Sequence, residues 1–151
     1  MNIRSYNDGD LERVMQLFTD SVHGLAADHY TEAQRAAWAP QQPSAAGWRT
    51  CLAPLQMLVA ESAGELAGFV AFEFNGHIEF LYTSPKFSRQ GVASRLYETM
   101  SQYLDSRGVK ERFTEASLVA RPFFERQGLR VVEEQHVERN GVVLRRFAMS
   151  R

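Results

Sequence analysis

The apolar residues of this chain switch repeatedly between the two-residue period of strands and the three- to four-residue period of helices. That alternation restricts the fold more than any single motif does. Leu11, Val14, Met15, Phe18 and Val22 recur at helical spacing, after a short strand over Asn2 to Tyr6 and a turn at Asn7-Asp8-Gly9. Thr31 and Gln34 form a capping-box pair, which predicts a second helix from Glu32 to about Trp38, closed by Pro40 and Pro43. Ser44 to Leu52 predicts a third, ended by Pro54. Met57 to Ala60, Leu66 to Phe74 and Ile78 to Thr83 then read as antiparallel strands, with turns at Gly64 and Asn75-Gly76.

From Val92 the helical period returns, with Leu96, Tyr97, Met100, Tyr103 and Leu104 on one face and Gly108 just past the end. Phe113 to Ala116 predicts a strand, and a helix follows from about Ala120 or Arg121 to near Gly128. Leu129 to Arg139 and Val142 to Met149 form a hairpin around Asn140-Gly141. Interleaved strands and helices of this kind predict an α/β (α+β) fold: a mixed sheet with helices packed on it.

A length of 151 residues predicts one domain spanning residues 1–151. Lys and Arg number 17 against 18 Asp and Glu, so the net charge is −1. Such a balance argues against a general nucleic-acid-binding surface, which draws its affinity from clustered positive charge. No apolar run reaches the length of a membrane span, and the opening MNIRSYNDGD lacks a signal-peptide pattern. A lone Cys51 allows no internal disulfide, so a cytoplasmic setting is expected. Cys51 itself reads as a small packed hydrophobe, and the four His residues show no metal-ligand spacing. No metal is therefore expected.

The most informative segment runs Tyr82-Thr83-Ser84-Pro85-Lys86-Phe87-Ser88-Arg89-Gln90-Gly91-Val92-Ala93-Ser94. A strand ends, and a polar basic loop leads through Gly91 into an amphipathic helix. Backbone N–H groups at a helix start lack intrahelical partners, and with the positive end of the helix dipole they suit a phosphate. Gly91 and Ala93 leave room for close approach, and Ser94 offers a hydroxyl. The other reading of the loop alone is an ordinary helix start with Gly91 in a turn.

Ser88-Arg89-Gln90-Gly91-Val92-Ala93 resembles the acyl-CoA signature of the GNAT superfamily of N-acetyltransferases, Gln/Arg-x-x-Gly-x-Gly/Ala. Ser88 departs from it. Ser117 to Leu129 likewise resembles the family's later Asn-x-x-Ala-x-x-Phe-Tyr-x-x-x-Gly-Phe segment, with Phe124 in place of Tyr. With the element order, the resemblance covers Asn2 to Met149.

It implies a mostly antiparallel central sheet, splayed between its fourth and fifth strands, with helices on both faces and acetyl-CoA as co-substrate in the gap. Main-chain groups of Leu81, Tyr82 and Thr83 would pair with the pantetheine arm. A backbone N–H near Leu81 or Tyr82 would polarise the thioester carbonyl. Arg89, Gln90, Gly91, Val92, Ala93 and Ser94 would hold the pyrophosphate, and Ser117 and Phe124 would border the thioester.

Acetyl transfer to an amine needs a proton acceptor, because a free alkylamine is mostly ammonium at pH 7. Glu79 and His77 are the candidates, placed by strand alternation on one face with Leu81 and Thr83. Phe124 cannot reprotonate the leaving thiolate, which leaves Ser117, Tyr82, water or unaided departure. In the early helical region His29, Tyr30 and Trp38 stand where the family builds its acceptor wall, and aromatic residues there suit a cationic acceptor.

Direct transfer in a ternary complex to a small-molecule or peptide amine is the leading expectation, with a possible homodimer through the closing hairpin. A non-catalytic acyl-CoA-binding module is the alternative that Ser88 and Phe124 keep open. An unrelated nucleotide-phosphate binder lacks its Gly-Lys-Ser/Thr.

Overall fold

In a computed structural model, residues 1–41 and 43–151 are described. The strands are β1 (Asn2–Ser5), β2 (Gln56–Ser62), β3 (Glu65–Phe72), β4 (His77–Thr83), β5 (Phe113–Ala116), β6 (Arg130–Arg139) and β7 (Val142–Ser150). The helices are α1 (Leu11–Leu25), α2 (Glu32–Trp38), α3 (Ala45–Leu52), α4 (Val92–Ser106) and α5 (Arg121–Arg126). One seven-stranded sheet runs β1-β2-β3-β4-β5-β7-β6. All neighbours pair antiparallel except β4 and β5.

Residues along β3 alternate between two helical layers. Phe69 and Ala71 pack with Val14 and Phe18 of α1 and Leu52 of α3, whereas Val70 and Phe72 pack with Leu96 and Met100 of α4 and Phe124 of α5. A strand covered on both faces carries no polar alternation, which is why Leu66 to Phe72 is an unbroken apolar run. Within it Gly68 sets how closely α4 approaches. A Cβ there would lie 2.7 Å from Val92 Cγ1 and 2.8 Å from the Tyr82 carbonyl oxygen.

Two irregularities in β4 create the site. First, β3 pairs Ala71 with Phe80 and Phe72 with Ile78, so Glu79 is an extra, unpaired residue: a β-bulge. The bulge reverses the alternation. Ile78 and Leu81 both pack into the α4 layer, while Phe80 and Tyr82 pack into the α1 layer. His77 therefore does not share a regular face with Leu81 and Thr83, and the two-residue repeat expected through this strand is corrected at Glu79. Second, β4 meets β5 only at His77↔Phe113 and Ile78↔Thr114.

Beyond that pairing the chain after β5 is drawn away. The Tyr30 hydroxyl accepts the Leu118 N–H at 2.9 Å, and Ser117 Oγ accepts the Ala120 N–H at 3.1 Å. The rest of β4 is left with an open edge.

Candidate active site

The open edge of β4 is one wall of a groove of about 340 Å³. Leu81, Tyr82 and Thr83 line it on one side and Val119, Ala120, Phe123 and Phe124 on the other, with Arg89, Gly91 and Ala93 at its outer end. Gly91 is the N-cap of α4 with φ of 76°, and Arg89 has φ of 61°, so the loop turns twice through the left-handed region before the helix starts. The Gly91 carbonyl already accepts the Arg95 N–H at 3.1 Å. The N–H groups just inside the helix start then have no acceptor within it and face the groove end, an arrangement matched to a diphosphate.

On the other side of the sheet lies a cavity of about 420 Å³, lined by Phe18, Trp48 and Cys51 from α1 and α3, Glu79 and Phe80 from β4, and Glu115 from β5. Arg139, Leu144 and Arg146 of the closing hairpin complete its wall. Trp38, Tyr82 and Ser117 border both spaces, so groove and cavity meet between the diverging β4 and β5.

At the acidic end of the cavity His77 is held by carboxylates. Its Nδ1 lies 2.7 Å from Glu73 Oε1 and 3.5 Å from Glu79 Oε2, and its Nε2 lies 2.9 Å from Glu115 Oε1. The hydrogen bond to Glu115 does most to push its pKa up to about 9, against the opposing effect of burial and with help from Glu73. The same bond holds the Glu115 carboxyl below its ordinary value. His77 is thus an imidazolium at neutral pH, donating through both nitrogens.

A stability effect follows. His77 carries a folded-state pKa above its unfolded one of ~6.5. The stabilisation it gives is complete below that unfolded value and is lost as pH rises through about 9. The melting-temperature difference between the wild type and His77→Gln is expected to be largest near pH 6 and to close by pH 9.5. A difference that stays constant across this window would show that His77 is not charged in the fold.

Known proteins share this fold. Residues 26–151 match the family model described as acetyltransferase (GNAT) domain. The chain is 33% identical over 149 residues to the uncharacterized N-acetyltransferase YafP of Escherichia coli (strain K12), covering 99% of this chain and 94% of that protein. The chain belongs to the GNAT acetyltransferase family. A GCN5-related N-acetyltransferase structure from Rhodopseudomonas palustris, described also as aminotransferase, class II, superposes with a TM-score of 0.93 at 27% identity, over 99% and 94% of the two chains. PaiA N-acetyltransferase from Thermoplasma acidophilum, solved in complex with coenzyme A, has the same fold, with a TM-score of 0.77 at 18% identity over 99% and 97%. As a GNAT protein the chain is an acetyl-CoA-dependent N-acetyltransferase.

In this GNAT enzyme the residues singled out from sequence fall into distinct places. Glu79 lines the cavity, Arg89, Val92, Ala93, Ser94 and Phe124 line the groove, and Trp38 and Ser117 line both. Gln90 is exposed and lines neither. Tyr30 and His29 depart from the acceptor role expected of them. Tyr30 is buried, its hydroxyl donating to the Arg145 carbonyl at 2.8 Å, and His29 is exposed away from both spaces. Cys51 is an exposed residue on the cavity wall rather than a packed one. Partial burial and nearby Glu79 raise its thiol pKa, which disfavours a nucleophilic thiolate.

Sequence reading missed Glu115, Glu73, Trp48, Arg139 and Arg146. Glu115 carried a signal: it stands between Thr114 and Ala116, both buried, on a four-residue strand inside the sheet.

Proposed function

We propose that this N-acetyltransferase passes the acetyl group directly to a primary amine seated in the Glu79 cavity while acetyl-CoA occupies the groove. The observation that supports it is the junction at Trp38, Tyr82 and Ser117, where two spaces on opposite faces of the sheet open onto each other. Acetyl-CoA supplies the activated acyl thioester. The amides at the start of α4 and the open edge of β4 hold and orient it, which brings the reacting carbon to the gap.

Glu79 is the proton acceptor in this reading. Both Glu79 and Glu115 line the cavity, but Glu115 is committed to His77 at 2.9 Å and held below its ordinary pKa. Glu79 is the freer carboxylate, re-aimed by the bulge and 3.5 Å from His77. The positive charge that His77 holds cannot accept the amine's proton. His77 is therefore a positioning residue that gathers the carboxylates, not the base.

Tyr82 is the donor to the departing thiolate. Tyr82 borders both spaces at the gap. Burial, against a smaller opposing effect of the Trp38 hydrogen bond, pushes its phenol pKa well above the ordinary value. It keeps its proton at neutral pH but is a weak acid whose help to the thiolate is small. A thiol of pKa ~8.5 leaves tolerably without help, so Tyr82→Phe is expected to lower kcat by only about tenfold. Wild-type kcat in that variant would remove the donor role.

The test of the whole reading is initial-rate kinetics with free-thiol detection on an amine panel. Intersecting patterns are expected, and Cys51→Ser should keep wild-type kcat. Parallel, ping-pong patterns would show a covalent acetyl-enzyme instead.

A further inference from the structure

The proposed acceptor cavity is lined by charges of both signs that do not ion-pair with each other, and that reports on what it holds. Its β4–β5 end carries Glu79 and Glu115, with Glu73 behind them, gathered around one imidazolium. Its hairpin wall carries three arginines: Arg139, which is exposed; Arg145, which pairs with Glu134; and Arg146, which stands two residues from the β5 partner of Glu115 and helps to lower that carboxyl's pKa. Val137 and Arg139 on β6, with Leu144 and Arg146 on β7, follow the two-residue repeat and present one face. Arg146 uses Nε for the Gln135 Oε1 at 2.8 Å, and among the described residues no carboxylate pairs with its remaining nitrogens or with Arg139. No ion pair joins these arginines to Glu79 or Glu115 either, although all four line the same space.

The wall that carries them is fixed in place. Tyr30 Oη donates to the Arg145 carbonyl at 2.8 Å, and Gln34 Nε2 donates to the Val143 carbonyl at 3.1 Å. Alongside these charges the lining is aromatic. Phe18 meets Trp48 edge-on with ring centroids 4.9 Å apart, and Trp48 meets Phe80 at 5.4 Å.

We propose that the acceptor is a zwitterionic amine: a primary amine and a carboxylate carried on a flat apolar body. This rests on the acetyl-transfer reading of the same cavity. Glu79 and Glu115 receive the ammonium and Glu79 later takes its proton, the guanidinium groups of Arg139 and Arg146 take the carboxylate, and Trp48 and Phe80 cover the body. A simple amine satisfies only the carboxylates and leaves the free guanidinium nitrogens of Arg139 and Arg146 without a carboxylate partner. A zwitterion satisfies both.

Binding separates the two readings. Tryptophan fluorescence of the CoA-bound protein, reporting through Trp38 and Trp48, is titrated with matched pairs: 4-(aminomethyl)benzoate against 4-methylbenzylamine, and phenylalanine against phenethylamine. At least one acid is expected to bind about tenfold or more tighter than its neutral partner. An Arg139→Gln/Arg146→Gln double variant should lose that preference while keeping CoA affinity, and the Lys double variant should retain most of it.

Equal binding within both pairs, or a preference that survives the Gln variant, would overturn the proposal. Free-thiol release is then followed with the acid that binds. Preferential binding without release would uphold the zwitterion site and sink the transfer reading.

Discussion

Glu79→Gln is expected to lower kcat by about 10²–10⁴-fold, the usual span for loss of a general base. The KM for acetyl-CoA should stay within about twofold, because that substitution leaves the donor groove untouched. Glu79 lines the cavity and no part of the groove. Its side chain is 39% exposed, and its one close ionic contact is His77 at 3.5 Å, so the fold loses little when the charge goes.

Glu115→Gln supplies the contrast. It removes the strongest partner of His77, so its main effect should be on stability and on the pH window of the His77 charge. A pH–rate profile with one working acceptor distinguishes the two carboxylates. The limb set by protonation of the base should vanish in Glu79→Gln and persist in Glu115→Gln. If Glu79→Gln keeps both kcat and that limb, β4 carries no base, and the cavity reading must pass to Glu115 or to bulk water.

The elements were legible in the sequence because each is announced locally. Thr31 and Gln34 do form a capping box at the start of α2. Asn140 and Gly141, with φ of 52° and 77°, make the tight turn of the closing hairpin. Phe113–Ala116 is a strand with the bounds read from sequence. The splay between the fourth and fifth strands came from family resemblance, and the β4–β5 pairing stops after Ile78↔Thr114.

The site was less legible, for two physical reasons. A bulge inserts one residue into a pairing, and nothing in His77-Ile78-Glu79-Phe80 announces it, because the strict alternation it breaks is itself the usual signal. The other reason is distance along the chain. His77 meets Glu115 across 38 positions, and Arg139 and Arg146 reach the same cavity from the last two strands. Local periodicity says nothing about such meetings. Tyr30 failed as an acceptor contact for a related reason. Its hydroxyl is consumed in tying the chain after β5 to β7, a long-range hydrogen-bonding role that resembles a binding aromatic in one dimension.

Gly91→Val is expected to raise the CoA dissociation constant by about a hundredfold or more, equivalent to ~2.7 kcal/mol. Two effects add. A β-branched residue at φ of 76° is strained by ~1–3 kcal/mol, and relief of that strain rotates the amides that start α4 away from the phosphate. The new side chain also occupies the approach. A Cβ on Gly91 meets no protein atom within 4 Å, so the space it takes is the open space in front of the helix end.

Gly108 provides the control for strain alone. It has φ of 79°, and it too has nothing within 4 Å of a built Cβ, but it lies past the opposite end of the same helix. Gly108→Val should therefore cost comparable stability in a thermal melt and leave CoA affinity within about twofold, since no amide facing the groove moves. Gly91→Ala should fall between the wild type and Gly91→Val, because it adds the strain of a Cβ without the branched methyl groups. Isothermal titration of CoA against the three folded variants gives the answer. Wild-type affinity in Gly91→Val would mean that the pyrophosphate does not sit on the α4 amides, and the groove would then need another anchor for its phosphate end.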